Sequence, residues 1–146
     1  MRAIKMPLRS WGMALLLSLA SVMSASCQGD RRHALHSVHG QVTFQKKPAS
    51  SVVVVLRPVN RDVTYPTPSG TVGPDGKFVI GTYAIGDGVP VGEYVVTMTW
   101  TQMVTDANGD QQSRDRLGGR YADPLKSQWK IAIREGDNDL GQFHLQ

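Results

Sequence analysis

The chain has 146 residues, of which 40% are hydrophobic, with a single cysteine and a formal net charge of +4. This length suits one folded domain, and we expect no second one. Without residues 1–26 the chain keeps 13 basic and 12 acidic side chains, so the net charge falls to +1. A nearly neutral surface lacks the basic patch that phosphate-backbone binding requires, which excludes nucleic acid as a partner.

The first 26 residues have the three-part layout of an export signal. Arg2, Lys5 and Arg9 precede a 13-residue apolar run, residues 11–23, and small residues follow at 24–26. This order predicts a signal peptide that is removed on export. The run is also shorter than the ~20 residues that a membrane-spanning helix needs, which argues against an uncleaved anchor.

Cys27 follows the small residues directly and leaves two processing routes open. In a lipobox, the new amino terminus is Cys27 and its sulfur carries a diacylglycerol. Ordinary signal peptidase also accepts Ser24 and Ser26 around the same bond, and Ser24 stands where a lipobox usually has leucine. We predict lipidation at Cys27, because a chain with one cysteine forms no internal disulfide and an exported free thiol is a liability. The expected location is the cell envelope, with the domain facing the periplasm or on the cell surface, held to the membrane by this lipid.

Residues 27–37 are polar and predict a tether, whereas residues 38–146 alternate between apolar and polar positions, as strands with one buried face do. Residues 51–57, with four consecutive valines, predict a central strand. Hairpins are expected around the turn at 73–76 and between the last two strands, and residues 102–120 form the longest nonperiodic polar stretch. The pattern predicts an all-β fold, a seven-stranded antiparallel β-sandwich.

The order of short motifs along the domain resembles that of a known family. The motifs are Val38-His39-Gly40-Gln41-Val42, Lys47-Pro48, Gly70-Thr71, Asp75-Gly76-Lys77-Phe78, Gly86-Asp87-Gly88, Pro90-Val91-Gly92-Glu93-Tyr94, Tyr121-Ala122-Asp123-Pro124 and Gly136-Asp137-Asn138. Together they resemble the transthyretin-like, carboxypeptidase regulatory-like domain of small exported bacterial lipoproteins. The resemblance covers residues 38–146 and implies a prealbumin-like sandwich. It implies no peptidase activity, and Arg116–Arg120 depart from the family's usual approach to the tyrosine.

Two sets of side chains have spacings that suggest metal binding. His33, His36 and His39 recur every third residue, but neighbours at this spacing point to opposite sides of an extended chain. Residues 106–110 begin like a calcium loop, yet the sixth and twelfth positions hold glutamine and leucine instead of glycine and glutamate. A solvated hairpin tip with Asn-Gly at its centre explains the second set. We therefore predict no metal and no cofactor.

Catalysis is not expected either. Residues 36–39 lack the glutamate of a zinc carboxypeptidase motif, the chain ends without the Tyr-Arg-Gly-Ser of hydroxyisourate hydrolases, and no serine has a glycine-flanked elbow. Trp100 and Trp129 share strand faces with aliphatic residues, which predicts burial instead of a sugar-stacking surface. Tyr121 is less constrained and is free to face the surface.

The sequence therefore predicts a non-catalytic envelope lipoprotein module that binds protein or glycan. The alternative is a carbohydrate-binding or envelope-assembly accessory protein that uses the loops at 86–92 and 102–120, since loops carry function on such scaffolds. A hydrolase of unknown type is third. The candidate ligand-binding residues lie mostly in these loops: Asp87, Tyr121, Asp106, Asn108 and Asp110.

Overall fold

The computed structural model describes residues 32–146, which form ten strands and no α-helix. The strands are β1 (Val38–Phe44), β2 (Lys47–Pro48), β3 (Val53–Pro58), β4 (Ser69–Thr71), β5 (Lys77–Val79), β6 (Gly92–Thr99), β7 (Thr101–Thr105), β8 (Gln111–Asp115), β9 (Lys130–Ile133) and β10 (Asn138–Leu145). Residues 32–146 contain no helix that is long and apolar enough to span a membrane.

The predicted all-β sandwich is confirmed. Seven strands coincide with the segments in which apolar and polar residues alternate: β1, β3, β4, β5, β6, β9 and β10. The other three are the two-residue strand β2 and the pair β7 and β8. The proline-containing stretch from Pro58 to Pro68 contains no strand beyond its first residue.

The first sheet is built around β1. One side of β1 pairs with β10, and the other side pairs with β2 and β5. The β1–β10 pairing is parallel, from Val38 opposite Asn138 to Phe44 opposite Leu145. The register shifts by one residue between His39 and Gln41, where β10 places Gly141 at a φ of 70°. This is the one parallel pairing among the described strands, and it departs from the predicted all-antiparallel arrangement.

The second sheet has the order β4-β3-β6-β9 and is antiparallel throughout. The valine-rich strand β3 lies between β4 and β6, with Val54 opposite Met98, so the prediction of a central strand is confirmed. On its last strand, β9, Ile133 is buried and Ile131 is half-buried, while Lys130 and Arg134 are exposed. The phase of this strand is therefore as predicted.

The hairpin predicted around 73–76 is present in part, because Ser69 and Gly81 exchange two backbone hydrogen bonds of 2.9 and 3.0 Å across it. The hairpin predicted between β9 and β10 does not form. The turn at 73–76 does form, with the Gly73 N–H donating to the Lys77 carbonyl at 2.7 Å and Gly76 at a φ of 82°. The strands that flank it, however, pair with β3 and β1 in different sheets. Likewise β9 pairs with β6 and β10 with β1. The strands on either side of each turn thus belong to different sheets, and both sheets bury their apolar faces against one core.

About half of the residues in the polar stretch at 102–120 lie in strands. Strands β7 and β8 form a two-stranded antiparallel ribbon, with Met103 opposite Ser113, and its tip is the predicted hairpin at 106–110. The base is fastened by Asp115, whose Oδ1 accepts hydrogen bonds from the N–H groups of Trp100 and Leu117 at 2.9 and 3.1 Å. Nearly every ribbon side chain is exposed, so no alternation marked these strands.

One core lies between the two main sheets. Its largest fully buried side chains are Tyr94, Leu56, Ile80, Met98, Ile133 and Leu145. Tyr94 carries its hydroxyl into the core, where it donates to the Pro90 carbonyl at 2.9 Å and shares a 2.8 Å hydrogen bond with the Tyr65 hydroxyl. Burial raises the pKa of Tyr94, so this phenol stays neutral. Trp100 and Trp129 are half-buried at the margin of the core, which corrects the expectation that both are fully inside.

Candidate functional site

A cleft of about 400 Å³ opens where the segment before β9 meets the end of β10. We call it the aromatic cleft. Its lining residues are Arg120, Tyr121, Lys126, Ser127, Gln128, Trp129, His144 and Gln146.

The first wall of the cleft is a loop that the edge of β6 forces outwards. The N–H of Met98 donates to the Tyr121 carbonyl at 2.9 Å, and the N–H of Val96 donates to the Trp129 carbonyl at 3.0 Å. Val96 and Met98 are two residues apart on β6, whereas the residues that they bind, Trp129 and Tyr121, are eight residues apart in sequence. The intervening chain has to project away from the sheet, and it forms the rim of the cleft.

Hydrogen bonds fix the shape of this loop. The hydroxyl of Ser127 donates to the Val96 carbonyl at 2.6 Å and accepts from the Trp129 N–H at 3.2 Å. Asp123 accepts from the Leu125 N–H at 2.9 Å, and its carboxylate lies 3.9 Å from the ammonium of Lys126. The loop is therefore held at both ends and in the middle, although its side chains face solvent.

The second wall is the end of β10. The Arg120 guanidinium donates to the backbone oxygen of Gln146 at 2.7 Å, and the Gln146 N–H donates to the Tyr121 hydroxyl at 3.1 Å. His144 is oriented by Thr43, whose hydroxyl lies 2.9 Å from Nδ1. Within residues 32–146 nothing hydrogen-bonds its Nε2 atom, which leaves that nitrogen available to a ligand.

Two stacked aromatic rings join the walls. Tyr121 and Trp129 have centroids 5.4 Å apart and planes 22° apart, and the indole also meets Phe143 edge to face at 5.2 Å. Trp129 thus packs against the core and lines the cleft at the same time. Such a ring pair presents flat apolar surface beside polar groups, which is the surface that a pyranose ring contacts.

Two basic side chains line the cleft, and each already has one partner, the Gln146 backbone oxygen for Arg120 and Asp123 for Lys126. Guanidinium groups bind carboxylates in a planar, two-pronged geometry, and an exposed ammonium adds a mobile point charge. Chemically, the cleft suits a ring-shaped polar ligand that carries a carboxylate.

Of the predicted ligand-binding residues, Tyr121 is the one that lines the cleft. Asp87 lies in the loop before β6, where Oδ1 accepts from the Thr82 N–H at 2.7 Å and Oδ2 from the N–H groups of Tyr83 and Ala84 at 3.1 and 2.9 Å. These three hydrogen bonds give Asp87 a structural role as the fastener of that loop. Its part in binding a ligand stays a prediction.

The other three candidates stand together at the ribbon tip, far in sequence from the cleft residues. Asp106 Oδ1 accepts from the N–H groups of Asn108 and Asp110 at 2.9 and 3.0 Å, and Oδ2 accepts from the Gln112 amide at 2.9 Å. Both oxygens thus serve the turn. Over the described part of the chain, no group of three or more His, Cys, Asp or Glu side chains is arranged to hold a metal ion.

The three histidines have separate partners. His33 lies 3.3 Å from the Thr64 hydroxyl, the Gly136 N–H donates to His36 at 3.0 Å, and His39 lies 3.0 Å from Asp137. The tether residues 32–37 therefore run along the domain surface. The predicted lipidation site Cys27 and the rest of the tether and signal peptide lie outside the described residues.

Sequence reasoning missed most of the cleft. Arg120, Lys126 and His144 come from two segments that meet only because β9 and β10 lie in opposite sheets. The signal that was present is local: residues 116–128 contain three basic side chains around a tyrosine in a stretch without alternation.

No known protein family matches the chain, and no curated protein does so. Two solved structures share features of its shape. One is a 9R-lipoxygenase from Cyanothece PCC8801, with a TM-score of 0.42 and 15% identity over 76% of this chain and 16% of that one. The other is a DUF3823 family protein from Parabacteroides merdae ATCC 43184, with a TM-score of 0.38 and 15% identity over 76% of this chain and 46% of that one. This chain thus spans less than half the length of either protein.

Proposed function

We propose that this protein is a non-catalytic module of the cell envelope, exported and anchored through a lipid on Cys27, that binds an acidic glycan in the aromatic cleft. We further infer that its domain is transthyretin-like. The observation that carries the binding proposal is the stacked pair Tyr121 and Trp129 beside the cations of Arg120 and Lys126. Support for the domain type comes from the order of its motifs and from the seven principal strands.

The anchoring proposal rests on the first 27 residues. A basic start, a 13-residue apolar run and small residues before a lone cysteine are the features of an exported, lipidated chain. Intact mass of the protein extracted from membranes tests it: a lipid increment on the Cys27–Gln146 polypeptide is expected. A Cys27→Ser variant should leave the membrane fraction, and an unmodified Cys27 terminus would mean ordinary secretion.

The cleft holds a serine and a histidine, yet it is not arranged for nucleophilic chemistry. An activated serine gives its proton to a base, whereas the Ser127 hydroxyl donates to the carbonyl of Val96. His144 in turn is directed by Thr43. Both side chains are therefore assigned to structure and binding.

A protein partner is the second candidate, and the ribbon favours it. Among the described strands, β7 and β8 pair only with each other, so each has an outer edge with unpaired backbone groups. An extended segment of a partner adds to such an edge through main-chain hydrogen bonds. An envelope-assembly accessory would use this surface, which is separate from the cleft.

A glycan array with the purified full chain tests the main proposal. We expect signals on uronic-acid oligosaccharides and none on the matching neutral ones. Lys126→Ala and Arg120→Ala should each weaken binding about tenfold, as loss of one charged hydrogen-bond donor does, while the matched exposed variant Lys130→Ala binds normally. Equal binding of neutral and acidic glycans, or insensitivity to both cleft variants, would overturn the acidic-glycan assignment.

A further inference from the structure

A second surface feature lies near the middle of the domain's sequence. Residues 82–88, here called the Ile85 loop, connect β5 to β6, and the Ile85 side chain at the tip is 100% exposed. Val79 on β5 is also exposed and adjoins the loop, because a Cβ built on Gly86 would lie 3.3 Å from a Val79 methyl group. Val79 therefore lies beside the residue that follows Ile85, and we call these two exposed apolar side chains the apolar patch.

The backbone of the Ile85 loop is held firmly. Asp87 accepts three backbone hydrogen bonds within it, and the buried Thr82 hydroxyl donates to the Gly88 carbonyl at 2.7 Å. Gly81 packs against the Ala84 carbonyl so closely that a Cβ at 81 has no room. A loop that is ordered in this way presents Ile85 without an entropic cost of ordering when it binds.

The tether runs directly along this loop. His36 and Val89 exchange two backbone hydrogen bonds of 2.9 Å, and the backbone of His36 lies against Gly88. Four residues earlier, the guanidinium of Arg32 lies over the Tyr83 ring, 5.4 Å from its centroid. Residues 32–36 of the tether therefore extend along the loop from Val89 towards the tip that carries Ile85.

The chain length between Arg32 and Cys27 limits how far the anchor lies from the loop. These residues are five positions apart, so a fully extended chain spans at most about 18 Å between them. Since Arg32 contacts Tyr83, two residues from Ile85, a lipid on Cys27 brings the membrane surface close to the patch.

We propose that the Ile85 loop contacts the lipid bilayer, with Ile85 entering the headgroup boundary beside the anchor. This inference rests on the proposed lipidation of Cys27. Arg31 and Arg32 next to the anchor favour anionic headgroups. The two acyl chains of a diacylglycerol on Cys27 anchor the chain by themselves but leave the domain free to turn, and a second apolar contact restricts that motion. The loop would thereby also set the orientation of the domain on the membrane.

The test uses the full chain purified from membranes and an environment-sensitive NBD label on an Ala84→Cys variant, which keeps Ile85. The lipid blocks the Cys27 thiol, and intact mass before labelling reports whether it is present. Vesicles contain phosphatidylethanolamine and phosphatidylglycerol. The matched control carries the label at Leu125→Cys. Leu125 is exposed too, at 86%, but it lies at the rim of the aromatic cleft.

We expect the label at 84 to shift to the blue on vesicles while the label at 125 keeps its aqueous spectrum. Adding Ile85→Asp should abolish the shift, while the diacylglycerol on Cys27 keeps the chain on the vesicles. A lipidated chain with an aqueous spectrum at 84 overturns the loop contact and leaves the anchor intact.

A chain without lipid is labelled in a Cys27→Ser background. This variant is used when the intact mass shows no lipid on Cys27, a result by which the anchor proposal has failed. A blue shift of the label at residue 84 would then still support the contact of the loop with the bilayer, and an aqueous spectrum would reject that contact. A shift that appears only with envelope proteins, and not with pure lipid, overturns it in favour of a protein partner.

Discussion

The indole of Trp129 and the ring of Phe143 meet edge to face, with centroids 5.2 Å apart and planes at 86°. Trp129 directly precedes β9 of one sheet, and Phe143 lies on β10 of the other. The contact therefore ties the two sheets together at the mouth of the cleft, and the same residue serves stability and binding.

Truncating Trp129 tests the structural part of that double role. Trp129→Ala should cost about 2–4 kcal/mol, somewhat below the cost of removing a fully buried aromatic side chain, because the indole is half-buried. The neighbouring exposed variant Lys130→Ala should stay within about ±0.5 kcal/mol. Urea denaturation of both variants beside the parent measures the difference. Equal small losses would show that Trp129 contributes little to the core.

The buried hydroxyl of Tyr94 gives a second stability test. Tyr94→Phe keeps the ring but leaves the Pro90 carbonyl without its donor, so we expect a loss of about 1–3 kcal/mol. Tyr65→Phe leaves that hydrogen bond in place and should cost about 1 kcal/mol or less. The free energies of unfolding from chemical denaturation decide the order, and a larger loss for Tyr65→Phe would contradict it.

The pair His39 and Asp137 predicts a dependence of stability on pH. The hydrogen bond to Asp137 raises the pKa of His39 above 6.5, so its contribution is complete below that pH and disappears as the pH rises through the raised value. Hydrogen bonds from Ser37 and His39 lower the pKa of Asp137 below 3.8, so that contribution is lost only as the pH falls through the lowered value.

The contributions of His39 and Asp137 to the stability of the fold are both complete between about pH 4 and 6.5. Urea midpoints of the parent and of Asp137→Asn should therefore differ most near pH 5, and the difference should shrink as the pH rises through the raised pKa of His39. Both effects are small because both side chains are exposed. Asp139→Asn, whose carboxylate is 3.7 Å from the ring, is the weaker control. A difference that stays constant across this range would exclude the ion pair as its cause.

Divalent metals should leave the melting temperature unchanged. Both carboxylate oxygens of Asp106 already bind groups of the turn, so calcium would have to displace three hydrogen bonds. Thermal melts with millimolar calcium, with zinc and with chelator are expected to superimpose. A rise of several degrees with calcium would instead establish the ribbon tip as a site, since ligands that bind the folded state raise its stability.

The strands and several turns followed from the sequence because they depend on local properties. Alternation places Tyr94 and Met98 inward whatever their partners are, and Gly76 adopts a positive φ within its own turn. The pairing of β10 with β1 depends on residues a hundred positions apart, which no local pattern records. The ribbon was predicted only at its hairpin tip, because neither face of β7 and β8 is buried and these strands lack the alternation that marks a strand.

The candidate site was predictable only in Tyr121. The remaining cleft residues belong to a projecting loop, whose shape follows from the carbonyls of Tyr121 and Trp129 binding two nearby positions on β6. Nothing in the residues between them encodes that spacing. Asp87 and Asp106 drew attention as exposed acids in glycine-rich turns, and the structure shows that such acids also serve to cap backbone N–H groups.

The parallel pairing of β1 with β10 also bears on how the chain acquires its fold. The first strand of the domain gains its neighbour on that side only when residues 138–145 are in place. Contacts of such long sequence separation require closure of nearly the whole chain and slow folding. Under the export proposed above, the first sheet would stay incomplete until nearly all of the domain has emerged from the membrane, and a folded domain would indicate that translocation is nearly complete.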